Sequence, residues 1–135
     1  MREGNGCIMP IDKPRILLVD DEKDVLQIFT LGLERNGFEV DAFTSPIEAM
    51  QQFKPYRYDA VITDIRMPGL SGFEVYKLIR KQDETVKIFF ITAFAIYEKE
   101  VELAFPNLPP NSFIEKPITI AKLVNLIESN APHTS

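Results

Sequence analysis

Residues 59–74, with the sequence DAVITDIRMPGLSGFE, contain the unit from which the fold of this chain can be predicted. The apolar run 58–63 is typical of a strand that is buried on both faces. Turn-forming residues follow at 67–70, and Ser71 and Glu74 then form a capping box that predicts a helix to about residue 81. A buried strand that leads directly into a helix is the repeating unit of parallel α/β sheets.

The same alternation extends in both directions from this unit. A second capping box, with Ser45 as the cap and Pro46 at the first helical position, predicts another helix start. The predicted strands are 15–20, 38–43, 58–63, 86–91 and 112–115, and the predicted helices are 22–36, 45–53, 71–81, 96–105 and a last helix that Thr119 caps. This pattern predicts a three-layer, doubly wound α/β fold around one five-stranded parallel sheet.

Composition and charge limit the classes of function. We expect one domain at 15–130, with a flexible lead-in at 1–14 and a tail at 131–135. The chain has 15 basic and 20 acidic residues and a net charge of −5. This balance, without a polybasic run, argues against binding to nucleic acid or to a membrane surface. The longest apolar run, 88–97, is too short to cross a bilayer, and the single Cys7 cannot form a disulfide within the chain. We therefore expect a cytoplasmic protein.

Chemically distinctive side chains follow four of the predicted strands. Asp20 and Asp21 follow the first strand, Asp64 the third, Thr92 the fourth and Lys116 the fifth. Sites in open α/β sheets form at this carboxyl edge. Three carboxylates there would repel one another unless a cation joined them, and oxygen ligands with room for water suit Mg²⁺. An ionised aspartate needs no general base to attack phosphorus, provided that positive charge relieves the repulsion between the two anions.

Taken singly, each of these residues has an ordinary structural explanation. Asp21 could be only a helix cap, and Asp64 could cap the loop that follows it. Thr92 could be an ordinary strand residue, and Lys116 could be a solvated surface charge. Because all of them are predicted at the same edge of one sheet, a functional site is the better explanation.

Four segments of the chain resemble the signature of response-regulator receiver domains in two-component signalling. They are ILLVDDE at 16–22, DAVITDIRMPGLSGFE at 59–74, FFITAF at 89–94 and FIEKPI at 113–118. The strand and helix alternation that accompanies them covers 15–130. The resemblance implies a flavodoxin-like sheet with strand order 2-1-3-4-5, and a stand-alone regulator of the chemotaxis type.

The resemblance also implies a role for each site residue. Asp64 is expected to be the phosphoacceptor, and Thr92 and Lys116 are expected to contact the phosphoryl group. Phe113 falls at the position of an aromatic switch residue, and the Lys116-Pro117 bond at the position of a cis peptide. Arg66 and Phe94 fall at positions that influence how long the phosphoryl group lasts. The implied Mg²⁺ ligands are Asp20, Asp21, Asp64 and the backbone carbonyl of Arg66.

The expected partners follow from the same resemblance. The phosphoryl group would come from a phosphohistidine, and the only histidine, His133, lies in the predicted tail. The donor is therefore expected to be a sensor histidine kinase or a histidine phosphotransfer protein. The output face is expected to be the fourth helix, fifth strand and fifth helix, which would bind a downstream protein. The chain would be a monomer or a phosphorylation-dependent dimer, and it would assist its own phosphorylation and dephosphorylation without being an enzyme.

One segment departs from the family pattern, and several alternatives remain open. The family commonly has a Gly-Ala turn before the fifth strand, but here a proline-rich loop occupies 106–110, which bears on partner choice. A flavin or nucleotide site is disfavoured because 20–24 is acidic and lacks glycine. A phosphatase with an aspartate nucleophile would usually have a second aspartate at the position of Arg66. A receiver that only binds partners, and a receiver fragment of a larger transcriptional regulator, are further alternatives.

Overall fold

The five predicted strands form one parallel sheet in the computed structural model, which describes residues 13–92 and 112–129. Neighbouring strands are parallel throughout, in the order β2-β1-β3-β4-β5, which confirms the predicted architecture and the order implied by the resemblance. The strands are β1 (Arg15–Val19), β2 (Glu39–Phe43), β3 (Ala60–Asp64), β4 (Lys87–Thr92) and β5 (Phe113–Glu115).

Four helices cover this sheet within the described residues: α1 (Lys23–Arg35), α2 (Pro46–Gln52), α3 (Gly72–Gln82) and α4 (Ile120–Ser129). Both predicted capping boxes lie at helix starts. The Ser45 hydroxyl accepts a hydrogen bond from the backbone N–H of Glu48, and Ser71 and Glu74 cap each other reciprocally. None of these helices is long and apolar enough to cross a membrane.

Some predictions fall on residues outside the described ranges. These are the helix at 96–105, the proline-rich loop at 106–110, both termini, Cys7, Phe94 and His133. Among the described helices and strands, the observed boundaries differ from the predicted ones by one or two residues. Asp20 lies beyond β1, whereas Asp64 and Thr92 are the last residues of their strands because the ladder to the neighbouring strand continues that far.

Two apolar cores lie on opposite faces of the sheet, as the alternation of side chains along each strand requires. In β4, Phe89 and Ile91 contribute to a core that includes α1 and α4 residues. Ile88 and Phe90 contribute to a second core that includes α2 and α3 residues. The arrangement therefore has three layers, with the sheet between the two cores.

Strand β2 is an edge of the sheet and carries charged side chains. Glu39 and Asp41 lie on the same side of the strand, and both form ion pairs with Arg15 of the adjacent strand. The hydroxyl of Tyr58 donates a 2.7 Å hydrogen bond to Asp41. Burial, together with this bond and the charge of Asp41, raises the pKa of Tyr58 to about 12. Tyr58 therefore stays neutral, and its hydroxyl holds the side chain of Asp41 in place.

Asp83 organises the loop between α3 and β4. Its side chain is 1% exposed and accepts hydrogen bonds from the backbone N–H groups of Tyr56, Thr85 and Val86 at 2.8, 2.9 and 3.2 Å. The Thr85 hydroxyl donates a further bond of 2.7 Å. Burial alone would raise the pKa of Asp83, but these donors outweigh it and the pKa is lowered. The ionised carboxylate is thus the form that the fold stabilises.

Replacing Asp83 with asparagine is expected to lower the free energy of unfolding at pH 7 by about 1–3 kcal/mol, since buried donors lose an ionised acceptor. Because the folded pKa is depressed, this contribution is present above the unfolded value near ~4 and is lost as the pH falls through the folded pKa. Urea unfolding of both proteins should show a difference at pH 7 that shrinks at pH 3. Asp59→Asn is the matched control, because Asp59 is exposed and its side chain accepts one backbone hydrogen bond, from Arg15. A difference that does not depend on pH would contradict the assignment.

Candidate functional site

Three carboxylates meet at the carboxyl edge of the sheet. Asp20 follows β1, and Asp64 ends β3, which is the strand beside β1 in the sheet. One carboxylate oxygen each from Asp20, Asp21 and Asp64 lies within 4.8 Å of the others. Asp20 and Asp64 are buried and Asp21 is exposed, so the cluster has one side open to solvent. An oxygen-only set with an open side fits a hard, partly hydrated cation such as Mg²⁺.

Lys116, the residue that follows β5, extends its side chain to this cluster. Its ammonium nitrogen lies 3.0 Å from Asp20 Oδ2, 3.0 Å from Glu22 Oε1 and 3.3 Å from Asp64 Oδ2. The backbone N–H of Lys116 donates a 2.7 Å bond to the carbonyl of Thr92, which ties the residue to the end of β4. The Lys116-Pro117 peptide bond is cis, as the resemblance implied.

The charges at the site act on one another strongly. Burial raises the pKa of Asp64, the charge of Lys116 opposes this rise, and the charge of Asp20 adds to it. Burial alone would lower the pKa of Lys116, but hydrogen bonds to Asp20 and Glu22 and the charge of Asp64 raise it. The lysine is therefore held as a cation beside a carboxylate whose negative charge is only partly compensated.

The backbone around Asp64 is tightly fixed. Asp64 Oδ1 accepts a 2.7 Å hydrogen bond from the N–H of Ile65, and the N–H of Gly72 donates a 2.8 Å bond to the Ile65 carbonyl. A Cβ atom at Gly72 would lie only 2.4 Å from the Asp64 carbonyl oxygen. Glycine is therefore required where α3 begins against the backbone of Asp64 and Ile65. The second carboxylate oxygen of Asp64 remains directed toward Lys116.

The other predicted residues lie around this centre. Thr92 is buried at the end of β4, one position beyond the residue that pairs with Asp64. Arg66 is exposed, two residues after Asp64. Phe113 is partly buried and stacks on Phe90 with ring centroids 5.2 Å apart.

Sequence reasoning missed two residues at this site. Glu22 directly follows the acidic pair, and nothing in its sequence context indicates that its side chain contacts Lys116. Gly72 is assigned no role from the sequence alone. Its position directly after a capping serine and close behind Asp64 was the available signal, because a helix that starts so soon after a strand must approach that strand's end closely.

The chain is similar to known proteins over most of its length. A family model described as response regulator receiver domain matches residues 16–128. The chain is 31% identical over 114 residues to the response regulator receiver protein CpdR of Brucella abortus, covering 84% of this chain and 93% of that protein. The structure of the response regulator protein TrrA from Thermotoga maritima, in complex with Mg²⁺-BeF, is similar with a TM-score of 0.72 and 31% identity, covering 86% of this chain and 97% of that one.

Other relatives are longer than this chain. It is 35% identical over 119 residues to the phosphoglycerate transport system transcriptional regulatory protein PgtA of Salmonella typhimurium, covering 87% of this chain and 28% of that protein. The chain spans between 28% and 51% of the length of the first curated relatives that it matches.

Proposed function

Because the chain belongs to the family of response regulator receiver domains, we propose that it accepts a phosphoryl group on Asp64 from a phosphohistidine of a partner protein. The observation that carries this proposal is the position of the Lys116 ammonium, 3.0 Å from Asp20 and 3.3 Å from Asp64. It places a fixed positive charge beside a buried, anionic acceptor, where an incoming anion needs compensation.

Asp64 is the proposed nucleophile. One of its oxygens is occupied by the N–H of Ile65, and the other faces Lys116. Attack forms a bond from a carboxylate oxygen to phosphorus as the bond from phosphorus to the histidine nitrogen breaks. Lys116 and the Thr92 hydroxyl would then contact the transferred group. The chain would thereby assist its own phosphorylation and dephosphorylation without acting as an enzyme on other substrates.

Asp20, Asp21, Asp64 and the backbone carbonyl of Arg66 would hold Mg²⁺. When bound, the ion would neutralise part of the negative charge that these carboxylates and the phosphoryl oxygens bring together. The three carboxylate oxygens within 4.8 Å of one another support this assignment. The relative TrrA was solved with Mg²⁺-BeF, which is in keeping with it.

The proposed output begins at Phe113. Its ring stacks on Phe90 and lies 6.4 Å from the ring of Phe73, so a movement of Phe113 would alter packing on the α3 side of the sheet. Phosphorylation would bias an existing equilibrium between two forms. The proposed output face is β5, α4 and the predicted helix at 96–105. The partners would be a sensor histidine kinase or histidine phosphotransfer protein and a downstream protein, in the cytoplasm.

Two proposals about assembly follow from the relatives. CpdR is almost fully covered by this chain, which supports a regulator that works as a separate receiver. PgtA is covered only over 28% of its length, which supports the alternative of a receiver joined to a transcriptional output domain. In either case the receiver would be a monomer or would dimerise on phosphorylation.

Incubation with Mg²⁺ and phosphoramidate, followed by intact-mass measurement, tests the proposal. The wild type should gain the mass of one phosphoryl group, and Asp64→Asn should gain none. Asp59→Asn, which removes an exposed carboxylate just before the same strand, should be labelled like the wild type. Chelation of the metal should abolish labelling. No labelling of the wild type, or labelling that persists in Asp64→Asn, would overturn the proposed function.

A further inference from the structure

Glu22 has an unusual position for a residue that precedes a helix. It is the N-cap residue of α1, but its side chain makes no capping hydrogen bond. The carboxylate instead lies 3.0 Å from the ammonium of Lys116, a residue 94 positions away in the sequence. The backbone N–H of Glu22 donates a 2.9 Å bond to Asp20 Oδ1. Glu22 is therefore tied to the acidic site at both its backbone and its side chain.

The three carboxylates around Lys116 use its full capacity as a donor. An ammonium group has three N–H donors. Asp20, Glu22 and Asp64 each accept one hydrogen bond from it, at 3.0, 3.0 and 3.3 Å. A phosphoryl group on Asp64 would add anionic oxygens beside an ammonium that has no donor left. At least one of the existing contacts must then give way.

Burial decides which contact gives way. The side chains of Asp20 and Asp64 are 3% and 10% exposed, whereas that of Glu22 is 61% exposed. Removing a partner from a buried carboxylate is costly, but an exposed carboxylate exchanges an ion pair for water at little cost. Glu22 is thus the partner that Lys116 can release most easily.

We propose that Glu22 competes with the phosphoryl group for Lys116 and thereby slows the phosphorylation of Asp64. This inference rests on the proposed function and adds a positioning residue to it. In the unphosphorylated chain, Glu22 draws the ammonium toward solvent, nearer to itself than to Asp64. It also places an additional, exposed negative charge beside the ammonium that an incoming anion must reach. The identity of the residue at position 22 then tunes the rate of phosphorylation without contacting the reacting atoms.

Labelling of Glu22→Gln by phosphoramidate in the presence of Mg²⁺ tests this competition. The variant should be labelled about two- to five-fold faster than the wild type, as expected from losing an exposed ion pair. Asp24→Asn is the matched control, because it removes one negative charge from the exposed first turn of α1. Its rate should stay within about 1.5-fold of the wild-type rate, since exposed charges without a specific partner interact weakly. Equal rates for wild type and Glu22→Gln, or equal acceleration by both variants, would overturn the proposal.

A second measurement does not depend on phosphorylation or on metal. The ¹H–¹⁵N signal of the Lys116 ammonium should shift in Glu22→Gln and stay in place in Asp24→Asn, in a buffer with chelator and no phosphodonor. An unchanged Lys116 signal in Glu22→Gln would show that the two side chains are not paired, and the inference would fail. Absence of wild-type labelling with the signal shifted would instead count against the proposed function, while the pairing itself would stand.

Discussion

Truncation of Phe90 to alanine is expected to lower the free energy of unfolding by about 3–5 kcal/mol. The side chain is fully buried in the middle of β4. Its ring lies 5.1 Å from that of Phe73, 5.2 Å from that of Phe113 and 5.9 Å from that of Tyr76. Alanine would remove the ring on which these three pack and leave a cavity beneath α3. A loss of this size is a large part of the stability of a typical domain.

Urea unfolding followed by far-UV circular dichroism measures this loss, because the chain contains no tryptophan to report by fluorescence. Phe73→Ala is the matched control. It is the same chemical change in the same aromatic cluster, but Phe73 is only partly buried and should cost less. A cost for Phe90→Ala below about 2 kcal/mol, or equal costs for the two variants, would contradict the central position of Phe90 in this core.

Replacement of Gly72 by alanine is expected to destabilise the fold by about 1–3 kcal/mol and to slow labelling of Asp64. The added Cβ would lie 2.4 Å from the Asp64 carbonyl oxygen and 3.0 Å from Ile65 Cα. Both are backbone atoms, so no side-chain rotation can relieve the contact. Either α3 or the end of β3 must move, and Asp64 moves with the strand. Stability and labelling should therefore fall together.

Gly32→Ala is a suitable control for this change. Gly32 lies inside α1, and a Cβ there would approach the side chain of Ile120, at distances from 2.6 Å. A Cβ at Gly32 would meet both γ-carbons of Ile120, so this side chain must shift, while alanine favours the helix by up to about 1 kcal/mol. Gly32→Ala therefore controls for a close contact that does not involve the backbone of Asp64, and it should leave labelling near the wild-type rate whatever its cost in stability. If Gly72→Ala unfolds at the wild-type urea concentration and is labelled normally, the close approach of α3 to Asp64 has no functional importance.

Much of the fold could be predicted because three of its strands, β1, β3 and β4, are buried on both faces. Continuous apolar runs such as 16–19 and 88–91 are easily recognised, and the capping residues Ser45 and Ser71 mark helix starts locally. The predicted ends of the strands differ from the observed ends by one or two residues. Asp64 and Thr92 remain in their strands because the neighbouring strand continues the hydrogen-bond ladder, and this depends on residues far away in the sequence.

The site was only partly predictable for the same reason. The topology of a parallel sheet brings Asp20 and Asp64 to one edge, so their proximity follows from the strand order. The contact between Glu22 and Lys116 depends instead on the direction of two long side chains across 94 positions of sequence. Similarly, the need for glycine at position 72 arises from the distance between α3 and the Asp64 carbonyl. No local sequence pattern indicates either of these two contacts.

The acidic pair on β2 has a consequence for how molecules of this protein meet at high concentration. An outer strand offers unpaired backbone groups to which a strand of another molecule can add, and this is a common first step in aggregation. Glu39 and Asp41 lie along that border, and both form ion pairs with Arg15. A strand added there would have to cover these charged side chains, and charged residues on an outer strand oppose such addition. The charged border thus protects the protein against association through its own open strand.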